Sequence, residues 1–394
     1  MNFEVLEEKE PVSIVVIGTG GGGSNAVNEM IKRGIKGVKF VAVNTDVKDL
    51  QKNNAEIKLQ IGSKLTLGRG AGGKPEIGEK AAQEDEELIK EALKGSDMVF
   101  VKAGMGGGTG TGSAPVISRI AKELGALTVA VVTKPFDFER QHRMKLAEDG
   151  INKLRESVDT LIVIPNQNLL DTVDRNTPCT DAFSMANDVL RQGIQGISDL
   201  IIETGLINID FADAESVMRD QGDALMSIGY GSGDKRVADS VYSAMNNPLL
   251  EDSSIKGATR VLINLSGGNN LSLSDLNEAV EQITAEVSPD AEVFTGLYLN
   301  PEMEDKVKIT VIATGFKKTT AQQTGKITTI GVVKPGEVIS DDEFTKMRGK
   351  SAAGYYLPHR DRGSYEENLE IPTVIRDNHF SVTGPAIAGA SPGA

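Results

Sequence analysis

Residues 103–112 read Ala-Gly-Met-Gly-Gly-Gly-Thr-Gly-Thr-Gly. The strand-like run Met98–Val101 precedes this stretch, and residues 113–117 have the pattern of a helix start. Its six glycines and two threonines leave many backbone N–H groups free to turn toward one bound anion. The N-terminus of the following helix adds about half a positive charge. The stretch therefore predicts a phosphate-binding loop between a strand and a helix.

The loop itself contains no lysine, so it does not match the P-loop pattern G-x-x-x-x-G-K-[ST]. A flexible glycine linker is the structural alternative. Linkers are not usually bracketed by an apolar strand and a helix start, which favours the phosphate-binding interpretation.

A second glycine cluster occupies residues 18–23, which read Gly-Thr-Gly-Gly-Gly-Gly after a buried-strand pattern. The first, third and sixth of them fit the G-x-G-x-x-G motif of dinucleotide-binding folds, and a helical pattern begins at Ser24. The next strand leads to Asp46, where such folds place an acidic residue that binds the ribose. These features support an NAD-dependent oxidoreductase about as well as a nucleotide hydrolase.

Composition narrows the class of protein. The 394 residues carry 42 basic and 56 acidic side chains, and the net charge of −14 argues against nucleic-acid binding as the main activity. One cysteine, Cys179, excludes an intramolecular disulfide and suits a cytoplasmic location. We expect no signal peptide, no membrane insertion and no transition-metal site, because the start is acidic, apolar runs are short and histidines are few.

Residues 11–178 alternate strand and helix patterns, which is typical of a mainly parallel sheet covered on both faces. The runs at 127–132 and 160–164 are continuously apolar, as buried parallel strands require. A sheet of this kind binds ligands at the carboxyl ends of its strands, where both glycine loops are expected.

The whole pattern predicts an α/β protein with a Rossmann-like parallel-sheet domain, a long central helix, a second smaller α/β domain and a flexible C-terminal tail. The central helix is expected from Asp181 to Ile202, and Ser274 is the expected cap of a helix in the second domain. The predicted boundaries are 1–10 for an N-terminal extension, 11–178 for the nucleotide-binding domain, 179–208 for the central helix and the start of the next loop, 209–316 for the second domain, 317–367 for a linker, 368–378 for a tail peptide and 379–394 for a disordered end.

The tail peptide contains an apolar patch with mixed charge, Leu369–Arg376, beyond the polar linker. A docked tail strand is one interpretation. A short peptide that binds a partner protein is the favoured one for an apolar island in such a position.

Three polar side chains, Asn208, Asp210 and Asp213, lie in one loop before a helical run. The carboxylates are good helix caps. Two carboxylates and an amide in one exposed loop are also what is needed to polarise a water molecule. A helix of about twenty residues at ~1.5 Å per residue would hold this loop ~30 Å from the nucleotide of its own chain, so it would act on a neighbour's nucleotide.

Two i, i+4 pairs have two interpretations each. Glu139 and Arg143 form either a surface ion pair or a contact to ribose or phosphate. Phe183 is either a core residue or a ring stacked on a base, with Asn187 and Asp188 at the base edge.

Four motifs, in this order along the chain, resemble the tubulin/FtsZ superfamily and within it the FtsZ family of bacterial cell-division GTPases. They are Gly-Gly-Gly-Gly-Ser-Asn-Ala-Val at 20–27, Val-Asn-Thr-Asp at 43–46, Gly-Met-Gly-Gly-Gly-Thr-Gly-Thr-Gly at 104–112 and Gly-Leu-Ile-Asn-Ile-Asp-Phe-Ala-Asp at 205–213. The resemblance covers residues 11–316 and returns at 369–376.

The resemblance implies a polymerising GTPase that uses GTP/GDP and Mg²⁺, forms head-to-tail protofilaments and assembles at the division site at midcell. It implies that regulatory and membrane-tethering division proteins bind the tail peptide. Asn208, Asp210 and Asp213 would lie on the synergy loop that completes the next subunit's hydrolytic site. The implied nucleotide-binding residues are Gly21, Gly22, Gly23, Ser24, Asn25, Gly72, Gly73, Gly106, Gly107, Gly108, Thr109, Gly110, Glu139 and Arg143, with Asn166, Phe183, Asn187 and Asp188 around guanine.

The chain departs from the family pattern at residues 67–76. Leu67 and Arg69 have exchanged places, and Lys74 replaces an asparagine, so Lys74 is expected near the terminal phosphate. The tail has Thr373–Ile375 where Ala-Phe-Leu is common. The alternatives of different class are the NAD-dependent oxidoreductase and a nucleotide-gated scaffold that does not hydrolyse GTP.

Overall fold

The computed structural model describes residues 12–170, 177–178, 188, 191–199, 201, 205–247 and 255–316. The predicted N-terminal extension, linker, tail peptide and disordered end lie outside the described residues, as do Cys179, Phe183 and Asn187. Within the described part of the chain, no helix combines the length and apolar character that a membrane crossing needs.

The first sheet has seven strands in the order β3-β2-β1-β4-β5-β6-β7, and every pair of neighbours is parallel. This confirms the predicted α/β fold with a parallel sheet. The strands are β1 (Ile14–Thr19), β2 (Val38–Asn44), β3 (Ile57–Gln60), β4 (Met98–Gly104), β5 (Leu127–Lys134), β6 (Thr160–Pro165) and β7 (Gly222–Asp223). The helices are α1 (Gly20–Lys32), α2 (Val47–Gln51), α3 (Ser63–Thr66), α4 (Pro75–Glu84), α5 (Glu86–Leu93), α6 (Thr109–Glu123), α7 (Arg140–Arg155) and α8 (Asn166–Leu170).

The strands form because their side chains are apolar on both faces, and each face packs into its own core. Along β4, Met98 and Phe100 lie in one hydrophobic cluster, whereas Val99 and Val101 lie in the other. The strand order reverses between β1 and β4, which pair with each other while their chain connections leave toward opposite sides. Ligands of open α/β sheets bind at this switch point.

The second domain contains a four-stranded mixed sheet in the order β10-β9-β11-β8. Here β11 is antiparallel to both β8 and β9, whereas β10 is parallel to β9. The elements after α8 are α9 (Phe211–Met218), β8 (Leu225–Ser232), α10 (Arg236–Met245), β9 (Arg260–Gly267), α11 (Leu273–Thr284), β10 (Glu292–Leu299) and β11 (Lys306–Thr314).

The expectation that Ser274 caps the helix of this domain is wrong. Ser272 is the N-cap of α11: its hydroxyl accepts from the backbone N–H of Asp275, and the Asp275 carboxylate accepts from the Ser272 N–H. This reciprocal capping box satisfies two donors, which a cap at Ser274 would not do with Asp275.

Residues 191–199 are helical and lie within the predicted central helix. Ile194 and Ile197 are fully buried in a cluster that also contains Phe100 of the first sheet and Ile312 of the second. The central helix therefore joins the two sheets through one continuous core.

Side chains at the amino edge of the first sheet fasten α9 to it. Lys122, near the C-terminus of α6, lies 2.9 Å from the buried carboxylate of Asp159 and 2.6 Å from that of Asp220. The hydroxyl of Thr160, the first residue of β6, donates to the carbonyl of Met218, the last residue of α9. The C-terminal end of α9 thus lies at the edge where the parallel strands begin.

Candidate functional site

Both glycine loops run directly into helices, and each helix begins earlier than the sequence pattern predicts. Helix α1 begins at Gly20 rather than Ser24, and α6 begins at Thr109 rather than Ser113. The glycines themselves therefore form the first turns. The first four N–H groups of a helix have no partner within it, so these turns present backbone donors at the carboxyl edge of the sheet.

Close backbone contacts explain why glycine is needed in the first loop. Gly20 has φ +69°, and a Cβ there would lie 2.7 Å from the backbone nitrogen of Gly110. A Cβ at Gly23 would lie 2.4 Å from the carbonyl oxygen of Lys102. Gly23 thus lets α1 pack against β4, which is the role of the third glycine in G-x-G-x-x-G.

Buried hydroxyl groups hold the second loop against its neighbours. The hydroxyls of Thr45 and Thr109 lie 2.6 Å apart, and those of Thr19 and Ser113 lie 2.5 Å apart. The hydroxyl of Thr111 accepts from the N–H of Gly106 at 2.9 Å. The loop is therefore held in place by side chains, while no hydrogen bond is described for the N–H groups of Gly107, Gly108 and Gly110.

These elements enclose a cavity of about 420 Å³ at the carboxyl edge of the sheet. Ten of the predicted nucleotide-binding residues line it: Gly21, Gly22, Asn25, Gly107, Gly108, Thr109, Gly110, Glu139, Arg143 and Asn166. Six others do not line it: Gly23, Ser24, Gly72, Gly73, Gly106 and Asp188. The cavity lies at the switch point and has a volume ordinary for a small-molecule site.

The loop that contains Gly72 and Gly73 supports the cavity wall from behind. A Cβ at Gly108 would lie 2.8 Å from the backbone nitrogen of Lys74 and 3.1 Å from that of Gly73. Lys74 is exposed, is the N-cap of α4 and does not line the cavity. Its expected place near the terminal phosphate stays a prediction.

The ion-pair interpretation of Glu139 and Arg143 is correct, and their contact to ribose or phosphate stays a prediction. The two side chains form an ion pair, and both line the cavity. The Glu139 carboxylate also accepts from the N–H of Phe136 at 3.0 Å, which fixes the short turn before α7. The Glu139 carboxylate is therefore positioned both by a backbone N–H and by the Arg143 guanidinium.

Asn166 and Asp188, both predicted around guanine, have different surroundings. The Oδ1 atom of Asn166 is buried and has no hydrogen-bond partner among the described residues, and the residue lines the cavity. Asp188 lies outside the lining and accepts from Arg191 at 2.7 Å and Gln192 at 2.6 Å. Burial opposes ionisation of Asp188, but these hydrogen bonds hold its pKa below the usual value.

Sequence reasoning missed six residues that line the cavity: Gly20, Lys102, Gly104, Met105, Thr133 and Pro135. Lys102 is the most informative, because a lysine is rarely buried. It lies in β4, which is buried on both faces, two residues after Phe100 and therefore on the same face as that ring. The alternation of side chains along β4 is therefore a sequence signal for the burial of Lys102.

The loop with the three predicted catalytic residues lies elsewhere. Asp210 caps α9: its carboxylate accepts from the Asp213 N–H at 2.8 Å, and the Asp213 carboxylate accepts from the Asp210 N–H at 3.3 Å. The Asn208 side chain accepts from the Gly205 N–H at 2.5 Å. None of the three lines the cavity, and Asn208 and Asp210 are exposed. The capping interpretation is thus correct for both carboxylates.

A doubly covered parallel sheet with glycine-rich helix N-termini at its switch point defines a nucleotide-binding α/β protein. Residues 13–174 match the model of the Tubulin/FtsZ family, GTPase domain, and residues 222–317 match that of the FtsZ family, C-terminal domain. An FtsZ dimer from M. jannaschii is 44% identical over 78% of this chain and 89% of that chain, with a TM-score of 0.73. The chain belongs to the Tubulin/FtsZ family.

Two more distant structures share the fold. GDP-bound monomeric CetZ1 from Haloferax volcanii is 21% identical over 78% of this chain and 95% of that chain, with a TM-score of 0.68. CetZ2 from the same organism, a GTPγS-bound protofilament, is 18% identical over 78% and 94%, with a TM-score of 0.67.

Proposed function

We propose that this chain is a self-polymerising GTPase of the cell-division type, in which one subunit holds GTP and the next subunit completes the hydrolytic site. The observation that carries the proposal is the separation of two groups of residues. Backbone donors line a cavity at the carboxyl edge of the first sheet, whereas α9, which Asp210 caps, is fastened by its C-terminal end to the amino edge, and Asp210 does not line the cavity.

In this proposal the phosphates bind to the N–H groups of two helix N-termini, through Gly21 and Gly22 of α1 and Gly108 to Gly110 of the second loop. Such donors stabilise charge that develops in the transition state without reorganising. Glu139 and Arg143 bind the ribose side, and Asn166 presents its unpartnered Oδ1 to the base.

Mg²⁺ fits this site as an ion that arrives with the nucleotide. The described residues contain no group of three or more His, Cys, Asp or Glu side chains placed to hold a metal by themselves. The side-chain hydroxyls of Thr109 and Thr133, both cavity-lining residues, are uncharged oxygen ligands that such an ion could use. Bound to the phosphates, Mg²⁺ would neutralise charge that the backbone donors leave uncompensated.

The acidic loop acts on a neighbour's nucleotide in this scheme. Leu206 is 68% exposed and Ile207 38% exposed beside Asn208, whereas Leu67 and Phe138 are 70% and 65% exposed in the segments that follow β3 and β5. Two different apolar surfaces on one chain suit a head-to-tail contact, which builds open filaments when it does not close. The FtsZ dimer and the CetZ2 protofilament support self-association of this kind.

The test is the rate of phosphate release per molecule as a function of protein concentration. A site shared between subunits gives a rate that is near zero in dilute solution and rises above a threshold concentration. A rate per molecule that is the same at all concentrations would overturn the shared site. GTP-dependent filaments without phosphate release would identify the non-hydrolysing scaffold instead.

The oxidoreductase alternative is tested by comparing NAD with GTP binding in the presence of Mg²⁺. Its acidic residue, Asp46, already has a structural role, because its carboxylate accepts from the Lys48 N–H and caps α2. We expect GTP to bind and NAD not to bind. The proposal also includes binding of the tail peptide at 369–376 to division proteins and assembly of the filaments at midcell. Both follow from the family resemblance.

A further inference from the structure

We propose that Lys102 is a nucleotide-binding residue that takes up a proton when a nucleoside di- or triphosphate enters the cavity, so that nucleotide affinity falls as the pH rises above neutrality. This inference rests on the proposed nucleotide site and adds a pH-dependent cation to it.

The position of Lys102 carries the first part of the argument. The residue lies in β4 between β1 and β5, paired with Gly18 on one side and Val131 on the other. Gly104, two residues later, begins the phosphate-binding loop. Lys102 lines the cavity together with Gly20 to Gly22 of α1. The residue therefore borders the space that the backbone donors face.

The second part of the argument is that the amine of Lys102 lacks a strong partner. The side chain is 1% exposed. The bond described for its Nζ is a long one, 3.4 Å to the carbonyl oxygen of Ala103. A lysine carries three donors when it is charged, so a buried ammonium with one weak bond is costly. An anionic ligand in the cavity would supply the missing acceptors.

The charges around Lys102 do not supply a counter-ion. The other titratable groups that line the cavity, Glu139 and Arg143, pair with each other. Strand β1 contributes no titratable side chain, and Lys134 of β5 points to the opposite face by the alternation of the strand. On α1, Glu29 pairs with Arg33 in the turns away from the cavity.

The charged residues of α6, which packs on the other face of β4, lie toward its C-terminal end, where Arg119 pairs with Glu123 and Lys122 pairs with Asp159. Among the described residues, Lys102 is therefore a buried amine whose charge is not compensated until an anion binds.

The direction of the pH effect follows from burial. Desolvation lowers the pKa of Lys102 from 10.5 to about 7, so near neutral pH the empty cavity holds a mixture of amine and ammonium. The phosphates of a bound nucleotide favour the ammonium and raise this pKa again. Between the two pKa values, binding takes up one proton from solvent, and the dissociation constant rises by up to about tenfold per pH unit.

The experiment measures GDP binding to dilute nucleotide-free protein from about pH 6 to about pH 9. Lys102→Met replaces the amine with an uncharged chain, and Lys102→Arg keeps a charge that does not titrate in this range. Lys58→Met is the matched control, since Lys58 is an exposed lysine in β3 of the same sheet. Titration of GDP itself is common to all variants and cancels in their ratio.

We expect the GDP dissociation constant of the unaltered protein and of Lys58→Met to rise above about pH 7, whereas both Lys102 variants lose this rise. Calorimetry of the unaltered protein in two buffers of different ionisation enthalpy gives the proton count without any variant, and uptake at about pH 8 supports the inference. Tight GDP binding with no proton uptake overturns the role of Lys102 and leaves the nucleotide site intact. Absence of GDP binding at every pH overturns the proposed function itself.

Discussion

Backbone N–H groups at the two edges of the seven-stranded sheet differ in their hydrogen-bond partners. At the amino edge, carboxylates satisfy them: Asp97 accepts from the N–H of Ser13 at 2.7 Å, and Asp159 accepts from that of Thr128 at 2.8 Å. At the carboxyl edge, glycine turns leave N–H groups open to a cavity. The N–H groups of the amino edge thus bond to carboxylates of the same chain, whereas those of the carboxyl edge remain available to an anionic ligand.

The two edges therefore have different structural roles. Because the carboxyl edge presents backbone donors from closely packed glycine turns, positions such as Gly20 and Gly23 have no room for a side chain. The amino edge is held by ion pairs, such as Arg155 with Asp223 of β7 at 2.9 Å, and it anchors the helix that carries Asp210. Asn208, Asp210 and Asp213 accordingly do not line the cavity of their own chain.

The largest expected effect is on GTP turnover. Asp210→Asn removes the charge but keeps a good helix cap, so α9 should stay folded. We expect GTP affinity to be unchanged and turnover to fall by about 10²-fold or more, the usual size of a lost water-activating group. In mixtures with unaltered protein, each Asp210→Asn subunit should also inactivate a neighbour's site.

Asp275→Asn provides the control for that experiment, because Asp275 occupies the same kind of capping box on α11. It should leave turnover unchanged. If Asp210→Asn lowered nucleotide affinity instead of turnover, the separation of the two edges would be wrong.

The next effect concerns stability at the amino edge. Asp159→Ala removes a fully buried carboxylate that accepts from Thr128 and pairs with Lys122, and we expect a loss of about 2–3 kcal/mol in the free energy of unfolding. Asp220→Ala removes the other partner of Lys122, which is 71% exposed, and should cost less than about 1 kcal/mol. Urea unfolding of the two variants measures both. Equal losses would show that burial does not govern this edge.

A third prediction separates packing from binding at the carboxyl edge. In Gly23→Ala the new Cβ meets the Lys102 carbonyl at 2.4 Å, so we expect a loss of about 1–3 kcal/mol in stability. In Gly21→Ala the Cβ meets nothing within 4 Å, so stability should stay within about 0.5 kcal/mol of the original. Because Gly21 lines the cavity, its GTP affinity should fall instead. Thermal unfolding and nucleotide titration of both variants are the measurements, and a stable Gly23→Ala protein would contradict the packing argument.

Much of this arrangement could be predicted from sequence because it depends on local patterns. Continuous apolar runs gave the parallel strands, and glycines between strand and helix gave both loops. The burial of Lys102 could not be predicted from composition, because lysine is ordinarily exposed and only the pairing of β4 with β1 and β5 closes the space around it. The capping of α11 by Ser272 rather than Ser274 was ambiguous locally, since both serines lie near the start of the helix and only the reciprocal bond with Asp275 decides between them.

The smallest expected effect is a pH dependence at the amino edge. A hydrogen bond from Lys122 lowers the pKa of Asp220 below its ordinary value of 3.8. A carboxyl whose pKa is lower in the folded state contributes stability above its unfolded pKa and loses it as the pH falls through the folded value. The stability difference between the unaltered protein and Asp220→Ala should therefore be present near about pH 6 and shrink as the pH falls below the ordinary carboxyl value of 3.8, and it should stay under about 1 kcal/mol because the pair is exposed. Urea unfolding at several pH values measures it, with Lys122→Met as the background in which the effect of Asp220→Ala should depend much less on pH. If the difference in unfolding free energy stays the same in acid, Asp220 stabilises the amino edge by packing rather than by charge. Charge at the amino edge would then matter only at the buried Asp159.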